Sequence, residues 1–222
     1  MNEPWPLGPG AAAIDRSEVH VWQAALDLPP AVLAGLAETL SAEETARAER
    51  FHTWQLRDRF TAAHGALRSV LARYLGCKAA DVAFEYTPEG KPLLAADGPH
   101  FSLAHSGGLC LMAVALAPVG VDLELGAPAA AEILPLATYL APAAACQLAA
   151  APPADRPDLF LRCWTTQEAW VKATGQGLAD LDTPLPPGWS HRELTPASGA
   201  TAAVVVQGPL QHLRCWQWTA GG

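Results

Sequence analysis

Apolar residues that alternate with polar ones predict a strand with one buried face, and apolar residues that recur every three or four predict a helix. Val19–Leu26, opening on Val-His-Val-Trp, has strand character, and Ala31–Leu40 reads as a short helix. Ser41-Ala42-Glu43-Glu44 is a capping box, in which the serine hydroxyl takes a free amide and Glu44 reaches back. A helix from there to about His52 follows. A longer one, Arg57–Leu75, stops at Gly76, which suits a helix C-cap. Asp81–Tyr86 is a strand candidate ahead of the turn Thr87-Pro88-Glu89-Gly90-Lys91-Pro92. His100–Leu103 and Leu109–Leu116 are strands around the turn His105-Ser106-Gly107-Gly108, and Val119–Leu125 is another. Two Ala-rich helices fill about 129–150, and the Pro152-Pro153 break precedes a long helix, Pro157–Thr174. The tail has β character at His191–Leu194, Ala202–Gln207 and His212–Trp218, and residues 1–17 read as an irregular arm.

The order is strand, helices, strands, then helices and strands again, which is an α+β arrangement. Arg57–Leu75 and Pro157–Thr174 hold comparable places. The chain therefore divides into 1–117 and 118–222 as the halves of a diverged tandem repeat.

With 222 residues, half of them hydrophobic, the chain has ample material for a packed core. Its 14 basic and 22 acidic residues give a net charge of −8, which disfavours a general nucleic-acid binder but leaves room for a local basic pocket. Cys77, Cys110, Cys146, Cys163 and Cys215 include no Cys-x-x-Cys pair, so reduced, mostly buried thiols are expected. No apolar run reaches a membrane span, and Met1-Asn2-Glu3-Pro4-Trp5 does not read as a signal peptide. The expected location is cytoplasmic.

The candidate chemistry sits in two segments. In Val119-Gly120-Val121-Asp122-Leu123-Glu124, the two acids are two apart on a strand and share a face. In Trp164-Thr165-Thr166-Gln167-Glu168-Ala169-Trp170-Val171-Lys172, Glu168 and Lys172 are four apart on a helix and share a face. If strand and helix meet, three oxygen ligands converge beside an ammonium, a magnesium site suited to phosphate chemistry. Each residue also has a plainer reading. Asp122 and Glu124 could be solvated strand residues, Glu168 and Lys172 a surface ion pair, and His105 a turn cap. Lys91 and Arg59 could be simple surface charges.

Taken in order, Gly90-Lys91-Pro92, Phe101-Ser102-Leu103-Ala104-His105-Ser106, the Val119–Glu124 run and Trp164–Lys172 resemble the 4′-phosphopantetheinyl transferases. The closer match is the surfactin-type branch, in which two half-domains share one chain, and it spans about 47 to 178. The resemblance implies two similar α+β halves in a pseudo-two-fold arrangement with the active site in the cleft between them. It implies magnesium-dependent transfer of phosphopantetheine from coenzyme A to a serine of an apo carrier protein. On it, Asp122, Glu124 and Glu168 hold the metal; independently of it, a carboxylate beside the metal such as Glu168 can accept the hydroxyl proton directly or through water. On the resemblance, Lys172 helps the adenosine bisphosphate leave, His105 and Arg59 bind the 3′-phosphate, and Lys91 contacts the nucleotide end. Arg47 matches a further basic position. The nucleotide side falls in residues 1–117, and the metal ligands and catalytic helix in 118–222. Two halves in one chain make a monomer sufficient.

Two departures bear on activity. The family usually places a basic residue before the helix glutamate, where this chain has Gln167, and a serine before the histidine, where it has Ala104. A non-catalytic coenzyme A or carrier-protein binder of the same fold is therefore the alternative. A different magnesium-dependent phosphohydrolase rests on the carboxylates alone. If the missing cation matters, lysine at position 167 should raise turnover.

Overall fold

The structure is a computed structural model, and it describes residues 4–175 and 185–220. The last residues of the family-like span, 176–178, lie outside it, as do the first three of the N-terminal arm. Nine strands and six α-helices are present among the described residues, in an α+β order.

The first sheet has the order β4 (His100–Ser106), β5 (Leu109–Ala115), β1 (Glu18–Ala25) and β9 (His212–Gln217). β1 pairs antiparallel with β5 and parallel with β9. Thus the first sheet draws a strand from near the C-terminus, and the 117/118 division is crossed by β9. A short hairpin joins β2 (Phe84–Tyr86) and β3 (Pro92–Leu94). The second sheet has the order β6 (Val119–Leu125), β8 (Ala200–Gln207) and β7 (Trp189–Leu194), antiparallel throughout.

Side-chain alternation sets the layers. Val19, Val21, Leu111 and Ala113 of the first sheet pack on Val119, Val121, Leu123 and Val204 of the second. The opposite faces of β1 and β5, with Trp22, Cys110 and Met112, pack beneath α3 (Trp54–Leu75) with Leu67 and Leu71. β1 and β5 are therefore covered on both sides, which explains their near-continuous apolar runs. The outer face of the second sheet is covered by α6 (Arg156–Thr174), where Ala169, Trp170 and Ala173 meet Ala203 and Val205.

The helices start and stop where local chemistry directs. Ser41 Oγ accepts from the Glu44 amide, and Glu44 Oε2 accepts from the Ser41 amide at 2.9 Å, so the capping box opens α2 (Ala42–Ala48). α3 begins three residues before the expected Arg57, because the Thr53 hydroxyl caps it by accepting from the Leu56 amide. It ends at Gly76, with φ 65°. α1 (Pro30–Ala37), α4 (Ala130–Leu136) and α5 (Pro142–Ala150) are short. Asp81 lies in a 3-10 turn, so the strand expected from Asp81 begins only at Phe84.

Glu44 also enters a buried ionic cluster, receiving Arg68 Nε at 2.7 Å and facing His64 Nδ1 at 3.1 Å. Burial pushes the Glu44 carboxyl up. The His64 ring, the Ser41 amide and Arg68 outweigh it and hold the pKa at about 2. This cluster fixes α2 against α3. The cysteines are all free, but only Cys110 is buried. Cys163 and Cys215 are half-buried, and Cys77 and Cys146 are exposed, which corrects the expectation of mostly buried thiols. None of the described helices is long and apolar enough to cross a membrane.

Candidate active site

β6 and α6 cross in direct backbone contact. A Cβ added at Gly120 would land on the Ala169 carbonyl and against the Ala173 amide. Glycine in the Val-Gly-Val-Asp run is therefore demanded by helix packing, and the strand residues on the same face, Asp122 and Glu124, are brought to the helix. Asp122 is buried at 5% exposure. Its Oδ1 accepts from Lys172 Nζ at 2.6 Å, while its Oδ2 is buried with no partner. Lys172 thus pairs with the strand aspartate rather than serving as half of a plain helical Glu–Lys pair.

Glu124 is fixed by β4. The Ser106 hydroxyl donates to Glu124 Oε2 at 3.1 Å and accepts from the Leu125 amide at 3.1 Å. One strand turn away, the Ser102 hydroxyl accepts from the Val121 amide at 3.1 Å. Two serines of Phe101–Ser106 therefore join β4 to β6 where the ladder between the sheets is missing. Glu168 stands half-buried beside these groups. Burial raises its pKa, the Asp122 charge raises it further, Lys172 opposes, and Glu124 adds to the rise. The three carboxylates thus feel one another. Among the described residues no three His, Cys, Asp or Glu side chains stand in ligand spacing. An orphaned buried carboxylate oxygen and a glutamate raised by burial and then by like charge are nevertheless what a hard cation would relieve, so the donor set fits magnesium.

Arg47, Lys91, His105 and Lys172 line one cleft of about 570 Å³, together with His64. Arg47 lies over the Phe60 ring, and His64 stacks on the same ring at 4.0 Å. His105 is exposed at the rim of β4. Its apolar backing and then the Lys172 charge lower its pKa. The Lys91 ammonium donates to the Ala173 carbonyl at 2.6 Å. Arg59 is not among the residues lining this cleft. Its guanidinium is held in two parallel bonds, Nε to Asp27 Oδ1 at 2.8 Å and Nη2 to Asp27 Oδ2 at 2.9 Å. Asp27 and Arg59 both border Gly108, in the turn that follows His105.

The two departures from the family pattern look inward. Ala104 is 3% exposed in the core between the sheets, so a hydroxyl there would face Val and Leu side chains and not the cleft. Gln167 Oε1 accepts from the Ala141 amide at 2.8 Å, and its Nε2 donates to the Tyr139 carbonyl at 2.7 Å. It fastens the start of α5 to α6 and lines a separate cavity of about 410 Å³ with Trp170 and Arg162.

Sequence reasoning passed over Ser106, Gly120, His64 and Asp27. Ser106 and Gly120 lay inside quoted motifs, and their neighbours on a face were the available signal. His64 follows Phe60 by one helical turn on α3. Nothing local marks Asp27, which meets Arg59 across 32 residues of chain.

Residues 118–220 match the family model described as the 4′-phosphopantetheinyl transferase superfamily. The chain is 38% identical over 237 residues to the 4′-phosphopantetheinyl transferase HetI of Nostoc sp., covering 98% of this chain and 100% of that protein. It is 28% identical over 142 residues to the 4′-phosphopantetheinyl transferase Sfp of Bacillus subtilis, covering 63% of this chain and 62% of the relative. It is 37% identical over 115 residues to an L-aminoadipate-semialdehyde dehydrogenase-phosphopantetheinyl transferase of Eremothecium gossypii, covering 49% and 42% respectively.

Proposed function

The chain belongs to the 4′-phosphopantetheinyl transferase superfamily, and we propose that it transfers 4′-phosphopantetheine from coenzyme A to a serine of an acyl, polyketide or peptidyl carrier protein, in the cytoplasm, with magnesium. The observation that carries this reading is the meeting of β6 with α6, which sets Lys172 on Asp122 beside Glu168 and Glu124. The two half-domains of 1–117 and 118–222, related by a pseudo-two-fold axis and with β9 of the second returning to the sheet of the first, belong to the same proposal.

Asp122, Glu124 and Glu168 would hold magnesium, which when bound neutralises charge on the pyrophosphate oxygens. His105 binds the 3′-phosphate, with Arg59 reaching it from beside the Gly108 turn on leaving Asp27; Arg47 adds a further basic side chain to the cleft, and the Lys91 turn borders the nucleotide end. Charge-assisted bonds to phosphate suit these side chains. The serine hydroxyl oxygen forms a bond to the β-phosphorus of coenzyme A, and the bond from that phosphorus to the bridging oxygen breaks. The hydroxyl proton passes to Glu168, whose pKa is raised by burial and then by the Asp122 charge. The leaving adenosine 3′,5′-bisphosphate takes the bridging oxygen and its electron pair, and Lys172 offsets the charge.

Intact mass measurement of an apo carrier protein after incubation with the protein, coenzyme A and magnesium tests the proposal. The expected result is a carrier heavier by one phosphopantetheine, with almost none formed by Asp122→Ala although that variant stays folded. An unchanged carrier, with coenzyme A still bound, would replace the proposal by the non-catalytic binder. Phosphate released without any carrier would replace it by a hydrolase.

A further inference from the structure

The Lys91 ammonium stands among cations facing a cleft for an anionic donor, yet it is committed elsewhere. Its Nζ donates to the Ala173 carbonyl at 2.6 Å across 82 residues of chain. That carbonyl lies in the last turn of α6, where the helix leaves its carbonyls without intrahelical partners and the helix dipole is negative. An ammonium there is both a cap and a favourable charge. Gly175 closes the helix at φ 73°, its amide bonding the Val171 carbonyl at 2.9 Å. A Cβ at Gly175 would sit 3.1 Å from Lys91 Cδ, so the lysine stem lies against the helix cap along its length.

The turn that carries Lys91 is built to hold this aim. The Thr87 amide donates to the Lys91 carbonyl at 2.9 Å, the Lys91 amide donates to Thr87 Oγ1 at 3.2 Å, and the Gly90 amide donates to the Thr87 carbonyl at 2.8 Å. Gly90 has φ 86°, which a side chain would strain. Pro92 then starts β3. The lysine projects from this closed turn to the helix end that bears Lys172, one residue before the bonded carbonyl.

We propose that Lys91 is a positioning residue, a clamp from the nucleotide side of the cleft onto the C-terminus of α6, and that it acts on transfer through the placement of Lys172 and Glu168 rather than by binding phosphate. Ser102 and Ser106 join the two sheets at β4 and β6, and Lys91 fastens the opposite lip. The inference rests on the cleft being the coenzyme A site, and it gives the Gly-Lys-Pro segment a mechanical role. Glycine shapes the turn, lysine reaches the helix, and proline starts the following strand.

Lys91→Met removes the donor and keeps the stem, while Lys91→Arg keeps a cationic donor. Amide hydrogen exchange across 171–175 is measured without any ligand. Steady-state transfer is measured with coenzyme A and with dephospho-coenzyme A. The clamp predicts faster exchange of these amides in Lys91→Met, and a fall in kcat of about 10- to 100-fold with both donors, as expected when reacting groups are misplaced by about an ångström. Lys91→Arg should restore slow exchange and part of kcat. Unchanged exchange in Lys91→Met overturns the clamp whatever the kinetics. A loss confined to KM for coenzyme A, absent for dephospho-coenzyme A, overturns it in favour of a phosphate ligand. Failure of the transferase reading itself looks different: the wild type then modifies no carrier, while the exchange comparison still reports on the clamp.

Discussion

Lysine at position 167 restores the charge that relatives of this fold usually carry before the helix glutamate, and simple electrostatics would expect faster transfer. The structure predicts the opposite. Gln167 uses both ends of its amide on backbone groups, the Ala141 N–H at 2.8 Å and the Tyr139 carbonyl at 2.7 Å. A lysine can still donate to the carbonyl but cannot accept from the amide. Ala141 is 8% exposed, so its N–H would lose its acceptor out of reach of bulk water. A buried donor left unsatisfied costs about 1–3 kcal/mol. For a chain of this size each kcal/mol lowers Tm by about 2–4 °C, so Gln167→Lys should melt about 2–12 °C below wild type. The new ammonium would face the cavity lined by Trp170 and Arg162, apart from the cleft that gathers Arg47, Lys91 and His105. Coenzyme A affinity should therefore stay level while kcat falls, because the start of α5 is no longer tied to the catalytic helix. Thermal unfolding and transfer kinetics at matched magnesium and ionic strength decide the matter. An unchanged Tm with a higher kcat/KM would refute the structural role and return Gln167 to the status of a missing cation.

Gly120→Ala should cost about 3 kcal/mol or more, because the added methyl meets helix backbone that no rotamer change can relieve. Denaturant titration checks this, and a loss below 1 kcal/mol would mean that α6 lies farther from β6. Glu168→Gln should abolish transfer yet raise the metal-free Tm at neutral pH. The folded carboxyl sits above its ordinary value of 4.5 through burial and then Asp122, so its ionisation removes stability as pH rises through 4.5. Below pH 4.5 the gain should vanish, and a gain that persists there would point to another cause. Arg59→Ala should weaken coenzyme A by about 1.5–3 kcal/mol while sparing dephospho-coenzyme A, which lacks the 3′-phosphate. An equal loss for both donors would assign Arg59 wholly to Asp27.

Periodicity reports which face a residue occupies, and here the faces were legible. The Val119–Leu125 strand carries Asp122 and Glu124 on one side and Val119, Val121 and Leu123 on the other, and the structure puts the first set under α6 and the second between the sheets. The capping box and the Gly76 cap were legible because each is satisfied by atoms within a few residues. What periodicity cannot report is the partner across space. Arg59 and Lys91 read as basic side chains of the nucleotide side, and nothing near either in sequence announces the partner it bonds, Asp27 for one and a helix carbonyl for the other, across 32 and 82 residues of chain. The tandem order of elements likewise gave no hint that β9 returns to lie beside β1, since strand patterning names the face and not the neighbour.

Ala104 and Gln167 carry the same argument further. From residue type alone, a departure from a family pattern reads as a loss of chemistry. Ala104 alternates with Leu103 and His105, so strand geometry alone already turns its side chain away from the cleft that His105 borders. Gln167 adjoins Glu168, and neighbours on a helix diverge by about 100°, so a side chain there leaves the carboxylate's face. A hydroxyl at 104 or a cation at 167 would reach phosphate only by folding back across its own element. Neither residue is among those that line the cleft with Arg47, His105 and Lys172.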